Sequence, residues 1–273
     1  MKRRIFSDSR ILSLLFGLLF VTLPRPSVAE PPPAAVSGFN SYINGVESRL
    51  AQQHRSHLTF LAPVASTPQS DTRLRRGELI VEQLTPSGGA TLPGAMLHHW
   101  RGSAFTPGAK AADFERLMKD LAAYPQHFFP QVLQARVLSQ HDDRLQATMR
   151  VCQRHVITVV MDTTYDIAFA QLDSEHGYSI SRSTHISEID SPGTPKERAL
   201  NANDEHGFLW RQNTYWTYEE RDGGLYMQIE SVSLSRSIPT GLGWAIRPFV
   251  ESVPRDSMEF TLRSTCNALR RTN

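Results

Sequence analysis

The stretch "GFLWRQNTYWTYEERDGGLYMQIESVSLSRSIP", residues 207–239, reads as a β-hairpin. Two runs rich in aromatic and β-branched residues flank Arg221-Asp222-Gly223-Gly224, and Asp-Gly supplies the positive φ angles that a tight antiparallel turn needs. The next residues change period. In "VPRDSMEFTLRSTCNALRR", Met258, Leu262, Thr265, Cys266 and Leu269 fall along one helical stripe, and Pro254 suits the first turn of such a helix. Between hairpin and helix lies an apolar, Gly/Pro-broken entrance, Ile238 to Val253, carrying Trp244, Ile246, Phe249 and Val250. A strand pair feeding one long terminal helix is the frame into which the rest must fit.

Working back from the hairpin, the pattern is that of strands for over a hundred residues. "VLQARVLSQHDDRLQATMRVCQ" gives two strands around a polar turn, followed by "HVITVVMDTTYDIAFAQLD" and "GYSISRSTHISEID". Before them, "KAADFERLMKDLAAYPQHFFPQV" places Phe114, Leu117, Met118 and Leu121 on one helical face, stopped at Tyr124-Pro125. Earlier still, "RRGELIVEQLTP" and "GAMLHHWRGSAF" are strand-like runs joined by a Ser/Gly/Pro-rich turn. Phe39, Ile43, Val46 and Leu50 predict an amphipathic helix that continues to about His57, and Glu30 to Gly38 predicts an extended Pro-rich linker.

Residues 1–29 have the pattern of a signal peptide: a basic Met1-Lys2-Arg3-Arg4, the apolar run Ile11 to Leu23, and the small residues Ser27 to Ala29. Cleavage is expected near Ala29-Glu30, which would make the protein periplasmic or secreted. These residues hold five of the 29 basic and one of the 27 acidic side chains, so the rest of the chain is slightly acidic. Its charge gives no reason to expect a nucleic-acid partner. No other stretch approaches membrane-spanning length. In an exported chain, Cys152 and Cys266 invite a disulfide that would clamp the last helix to the sheet; the alternative is two buried free thiols.

The element order resembles the helix-grip fold of START-like (SRPBCC) proteins, the group that includes lipid-transfer START domains, polyketide cyclases and the birch-pollen allergen family. The segments that carry the resemblance are "FERLMKDLAAYPQHFFPQV" and residues 207–263. It implies an α+β fold over residues 73–273, with a curved antiparallel sheet wrapped around a long C-terminal helix. Residues 39–72 are then an extra N-terminal helix and loop. It also implies an apolar cavity between sheet and helix that holds a hydrophobic small molecule such as a lipid, fatty acid, isoprenoid or polyketide-like compound. An enzyme of cyclase/aromatase type and a filled structural or partner-binding domain are the other readings.

Alternation along residues 208–218 leaves open which face of that strand lines such a cavity. If Leu209, Arg211, Asn213, Tyr215 and Thr217 point inward, then Arg211, Asn213, Tyr215 and Glu230 are its polar groups. Trp244, Phe249, Met258 and Leu262 would be its apolar lining from the helix. An Arg211–Glu230 ion pair is the plainer expectation for those two residues. The ten histidines are expected to be solvated or structural rather than metal ligands, since His54 and His57, three apart on a helix, have no evident third ligand. No nucleophile elbow, phosphate loop or other catalytic motif is present, and no cofactor is expected.

Overall fold

The computed structural model describes residues 30–64, 69–85, 90–154, 157–237 and 243–272, with the side chains of the last segment described from Ser252 to Arg271. The signal-peptide pattern, Ile238 to Leu242, and the side chains of Trp244 and Phe249 lie outside the described residues.

Ten strands form one antiparallel sheet. They are β1 (Ile80–Gln83), β2 (Ala90–Leu92), β3 (Ala95–Pro107), β4 (Val132–His141), β5 (Arg144–Arg154), β6 (Thr158–Gln171), β7 (His176–Asp190), β8 (Arg198–Ala199), β9 (Arg211–Arg221) and β10 (Gly224–Arg236). The order across the sheet is β1-β3-β10-β9-β7-β6-β5-β4, with β2 on β3 and β8 on β7. β10 therefore returns to lie beside β3, and β4 to β7 form a meander. The β9–β10 turn forms as its residues predict, with Asp222 and Gly223 at φ 57° and 76°. Register shifts in the β4–β5 and β6–β7 pairs are the irregularities by which long strands bend.

Among the described residues there are five α-helices: α1 (Pro33–Gln53), α2 (Ser70–Arg75), α3 (Ala111–Lys119), α4 (Tyr124–His127) and α5 (Gly243–Thr272). Two boundaries differ from expectation. Most of the Pro-rich linker is the first turns of α1, because Pro33 at the helix start loses only an N–H that has no intrahelical partner there. α5 does not begin at Pro254 but at Gly243, so Pro248 and Pro254 lie within it. A proline deletes one hydrogen bond of the helix without ending it where the flanking turns are held by packing.

The helices cover both sides of the sheet. Met258, Leu262, Cys266 and Leu269 of α5 share a core with Trp100 and Ala104 of β3, Trp216 and Tyr218 of β9, Met227 and Ile229 of β10, and Phe114 of α3. Phe39, Ile43, Val46 and Leu50 of α1 share a second core with Leu97, Tyr215, Val232 and Leu234. Residues from alternate positions of the same strands serve the two cores, so α1 and α5 lie on opposite faces. This double cover is why every residue of β3 except its last is buried. One turn of α5 touches both margins of the curved sheet. Met258 lies against Gly102 of β3, and Ser257 Oγ accepts a hydrogen bond from Gln153 Nε2 of β5. That is a helix gripped by a sheet.

The Cys152–Cys266 bridge is not formed. Both are free, buried thiols, and they belong to different clusters: Cys152 packs with Val160 and Ile189, Cys266 beneath α5. Burial pushes the Cys266 thiol above its usual range. A disulfide reagent is expected to titrate neither thiol in the folded protein and both after unfolding in guanidinium without reductant. Failure to react after unfolding would show that the bridge exists.

Candidate functional site

The sheet separates the residues that alternation had grouped as one pocket. Asn213, Tyr215 and Glu230 face α1, whereas Met258 and Leu262 lie on the α5 side. Arg211, on the same alternation as Asn213 and Tyr215, donates to the backbone carbonyl of Trp210 and does not pair with Glu230. Asn213, Tyr215 and Glu230 therefore do not share a site with Met258 and Leu262.

On the α1 face, Glu230 is the centre of a charge cluster and is only 2% exposed. Its Oε2 accepts from Arg49 Nη2 at 2.5 Å and His99 Nε2 at 2.9 Å, and its Oε1 accepts from Arg101 Nε at 3.0 Å. Tyr42 Oη meets His99 Nδ1 at 2.9 Å, which fits the tautomer that donates from Nε2. Burial alone would raise the Glu230 pKa, but the His99 hydrogen bond and the charges of Arg101 and Arg49 outweigh it and hold the group at about 2. Nearby, Glu47 accepts both Nε and Nη2 of Arg182 and the hydroxyl of Tyr215, which also accepts from Asn213 Nδ2. His54 bonds Thr217 Oγ1 and stacks on Tyr178. An open groove of about 470 Å3 lined by Ser41, Tyr42, Gly45, Val46, Arg49, Leu84 and His99 runs beside the cluster. Both carboxylate oxygens are already matched by donors within the protein, so the arrangement fastens α1 to the sheet.

The α5 face differs. Its polar groups follow the strand register: His98 of β3 stands opposite Ser233 of β10, and Ser233 opposite Gln212 of β9. Gln212 N donates to Ser183 Oγ, and Ser183 of β7 stands opposite Tyr165 of β6. Tyr165 Oη donates to Gln212 Oε1, and Gln212 Nε2 donates to Ser231 Oγ. Four residues along each strand, the row is Gly102, Ile229, Trp216, Ser179 and Phe169. The face thus grades from polar to apolar along the strands.

Several buried polar atoms have no partner among the described residues, and in His98 both ring nitrogens are among them. His98 is 3% exposed. Trp100, two residues along the same face, has an unpartnered indole N–H. Burial lowers the pKa of His98, so the ring is neutral at pH 7, with one donor and one acceptor nitrogen. Burial raises the Tyr165 phenol to about 12. Strand alternation puts the adjacent His98 and His99 on opposite faces, and nothing in the sequence marks which one lacks partners.

No protein-family model matches the sequence, and no curated protein matches it. Solved structures similar to it include an aromatase/cyclase from Streptomyces sp. R1128, 13% identical over 65% of this chain and 96% of that one, at a TM-score of 0.44. A START superfamily protein from Mycobacterium smegmatis is 12% identical over 64% of this chain and 99% of that one, at 0.42. A STAR-related lipid transfer protein fragment from Xanthomonas axonopodis is 15% identical over 67% of this chain and 98% of that one, at 0.41. By its own strand order and helix placement, the chain has a START-like, helix-grip fold.

Proposed function

We propose that the protein is an exported binding module that holds an amphiphilic small molecule between the sheet and α5. The apolar body of the ligand, of lipid, fatty-acid, isoprenoid or polyketide-like character, lies toward Trp100, Tyr165 and Trp216, and its polar group meets His98. Export rests on the pattern of residues 1–29 alone. No helix of the described residues is long and apolar enough to cross a membrane.

The observation that carries this reading is the unmatched imidazole of His98. Buried polar side chains are overwhelmingly hydrogen-bonded, and an unmatched one costs about 1–3 kcal/mol. A ligand hydroxyl or carboxylic acid restores both missing bonds at once, and a neutral ring suits such groups better than a permanent charge. Binding is a better reading than acid/base catalysis because the other titratable group of the row, Tyr165, lies four strands away, about 19 Å along the sheet.

The test is native mass spectrometry of the protein purified without detergent, followed by titration with a fluorescent fatty acid on the wild type and on His98→Leu. A bound amphiphile is expected, with probe affinity at least tenfold weaker in the variant. The variant should also unfold at a higher urea concentration when empty, because it removes an unmatched polar group. A histidine that serves only the packing would move the midpoint the other way. A bare mass with no probe uptake, or uptake unchanged in His98→Leu, would overturn the proposal.

A further inference from the structure

The end of the sheet farthest from His98 carries a second group of histidines. His57 opens a short 3-10 turn, His57–Thr59, just beyond α1. Asp173 lies in the turn between β6 and β7, and His176 is the first residue of β7. Two separate points of the chain, His57 and the β6–β7 turn, thus bring two imidazoles and a carboxylate together, with one potential ligand atom from each lying within 4.8 Å of the others. From this geometry we infer that His57, Asp173 and His176 bind a divalent transition-metal ion, of which zinc fits best.

Each imidazole faces its own oxygen of Asp173, at a separation near that of neighbouring donors around the ion. Zinc at 2.0–2.1 Å from nitrogen and oxygen ligands in a tetrahedral arrangement sets neighbouring donors about 3.4 Å apart. His57 Nδ1 and Asp173 Oδ2 are 3.4 Å apart, and His176 Nδ1 and Asp173 Oδ1 are 2.9 Å apart. The two rings stand edge to face with centroids at 4.7 Å, so their nitrogens converge without stacking. A proton now shared between His176 Nδ1 and Asp173 would be released when the ion takes its place.

The supporting shell is also in place. Asp173 Oδ1 accepts the backbone N–H groups of Glu175 and His176, which fixes the carboxylate and turns Oδ2 toward His57. Glu219 Oε1 lies 3.7 Å from His176 Nε2, on the side of the ring away from Asp173. That is too long for a hydrogen bond, and the same oxygen meets Arg221 Nε at 3.2 Å, so Glu219 acts on the ring through its charge alone. His176 is 9% exposed while His57 and Asp173 are open to solvent, so the site has a buried back and an entrance. The sequence offers no reason to expect a metal here, since His54 and His57 have no evident third ligand, and in the structure His54 turns to Thr217. The third ligand lies over a hundred residues downstream, which sequence spacing does not reveal.

A metal here would tie the segment after α1 to the β6–β7 turn. The experiment takes the full protein, treats it with EDTA, removes the chelator, and titrates zinc by calorimetry and cobalt by visible absorption. One equivalent of zinc, a raised thermal midpoint and the strong d–d bands of tetrahedral cobalt are expected. His57→Ala alters an exposed side chain and should leave the apo protein folded, yet it should weaken zinc binding at least tenfold and abolish the bands. Asp173→Asn should do the same. The proposal is overturned if no stoichiometric zinc binds, or if His57→Ala and Asp173→Asn bind as the wild type does.

Discussion

Exchanging Glu230 for glutamine is expected to destabilise the fold by about 3–5 kcal/mol, the range for removing one partner of a buried ionic cluster. Glutamine keeps one acceptor oxygen but turns an NH2 toward donors that now have nothing to donate to. Arg49 suffers least, because 40% of its side chain is exposed and water can take over. Arg101 and His99, at 10% and 3%, carry most of the loss. Urea unfolding measures it as a fall in midpoint at unchanged slope. A fall worth less than about 1 kcal/mol would mean that the cluster is not what holds α1.

The same residue sets an acid limit on stability. Glu230 titrates at about 2 in the folded protein against 4.5 in its absence. Its stabilisation is therefore complete above pH 4.5 and is lost as pH falls from 4.5 toward 2. His54 acts earlier. Burial, with Arg49 nearby, lowers its pKa from 6.5 to about 4, so between those values the unfolded chain takes up a proton that the folded one refuses. The wild type should lose stability from pH 6.5 downward. Its advantage over Glu230→Gln should shrink only below pH 4.5. A gap that stays constant down to pH 2.5 would show that the glutamate is not the titrating group.

How much of this was legible in the sequence depended on contrast. The β9–β10 hairpin was legible because Asp222-Gly223 is turn chemistry whatever the surroundings. The stripe of Met258, Leu262, Cys266 and Leu269 was legible because α5 has one buried side. The facing of β9 was not, because both of its faces are covered. Tyr215 packs under α1 and Trp216 in the α5 core, so alternation shows no polar side. The partners of Glu230 were out of reach for a different reason: Arg49 lies 181 residues away, on a helix whose seat on the far face has no local signature. Pro254 misled because a rule of isolated helices gave way to packing. The unmatched state of His98 is a property of everything around it and is written at no single position.

The contact that seats α5 can be tested by exchanging volume across it. A Cβ on Gly102 would stand 2.6 Å from Leu262 Cδ1 and 2.9 Å from Met258 Sδ, so the helix approaches the strand as closely as glycine permits. Leu262→Ala, at a wholly buried position, should cost about 3–4 kcal/mol, within the usual range for leucine-to-alanine changes in cores. Gly102→Ala should cost about 1–3 kcal/mol through crowding. Together they should cost about 1–2 kcal/mol less than the sum, because the added methyl enters the space that the leucine leaves. Additive losses would mean that α5 shifts freely along the sheet. That result would also count against a ligand site whose polar end is at His98, because an amphiphile held between helix and sheet needs the helix at a fixed height. A clear compensation would show that α5 has a fixed seat at Gly102.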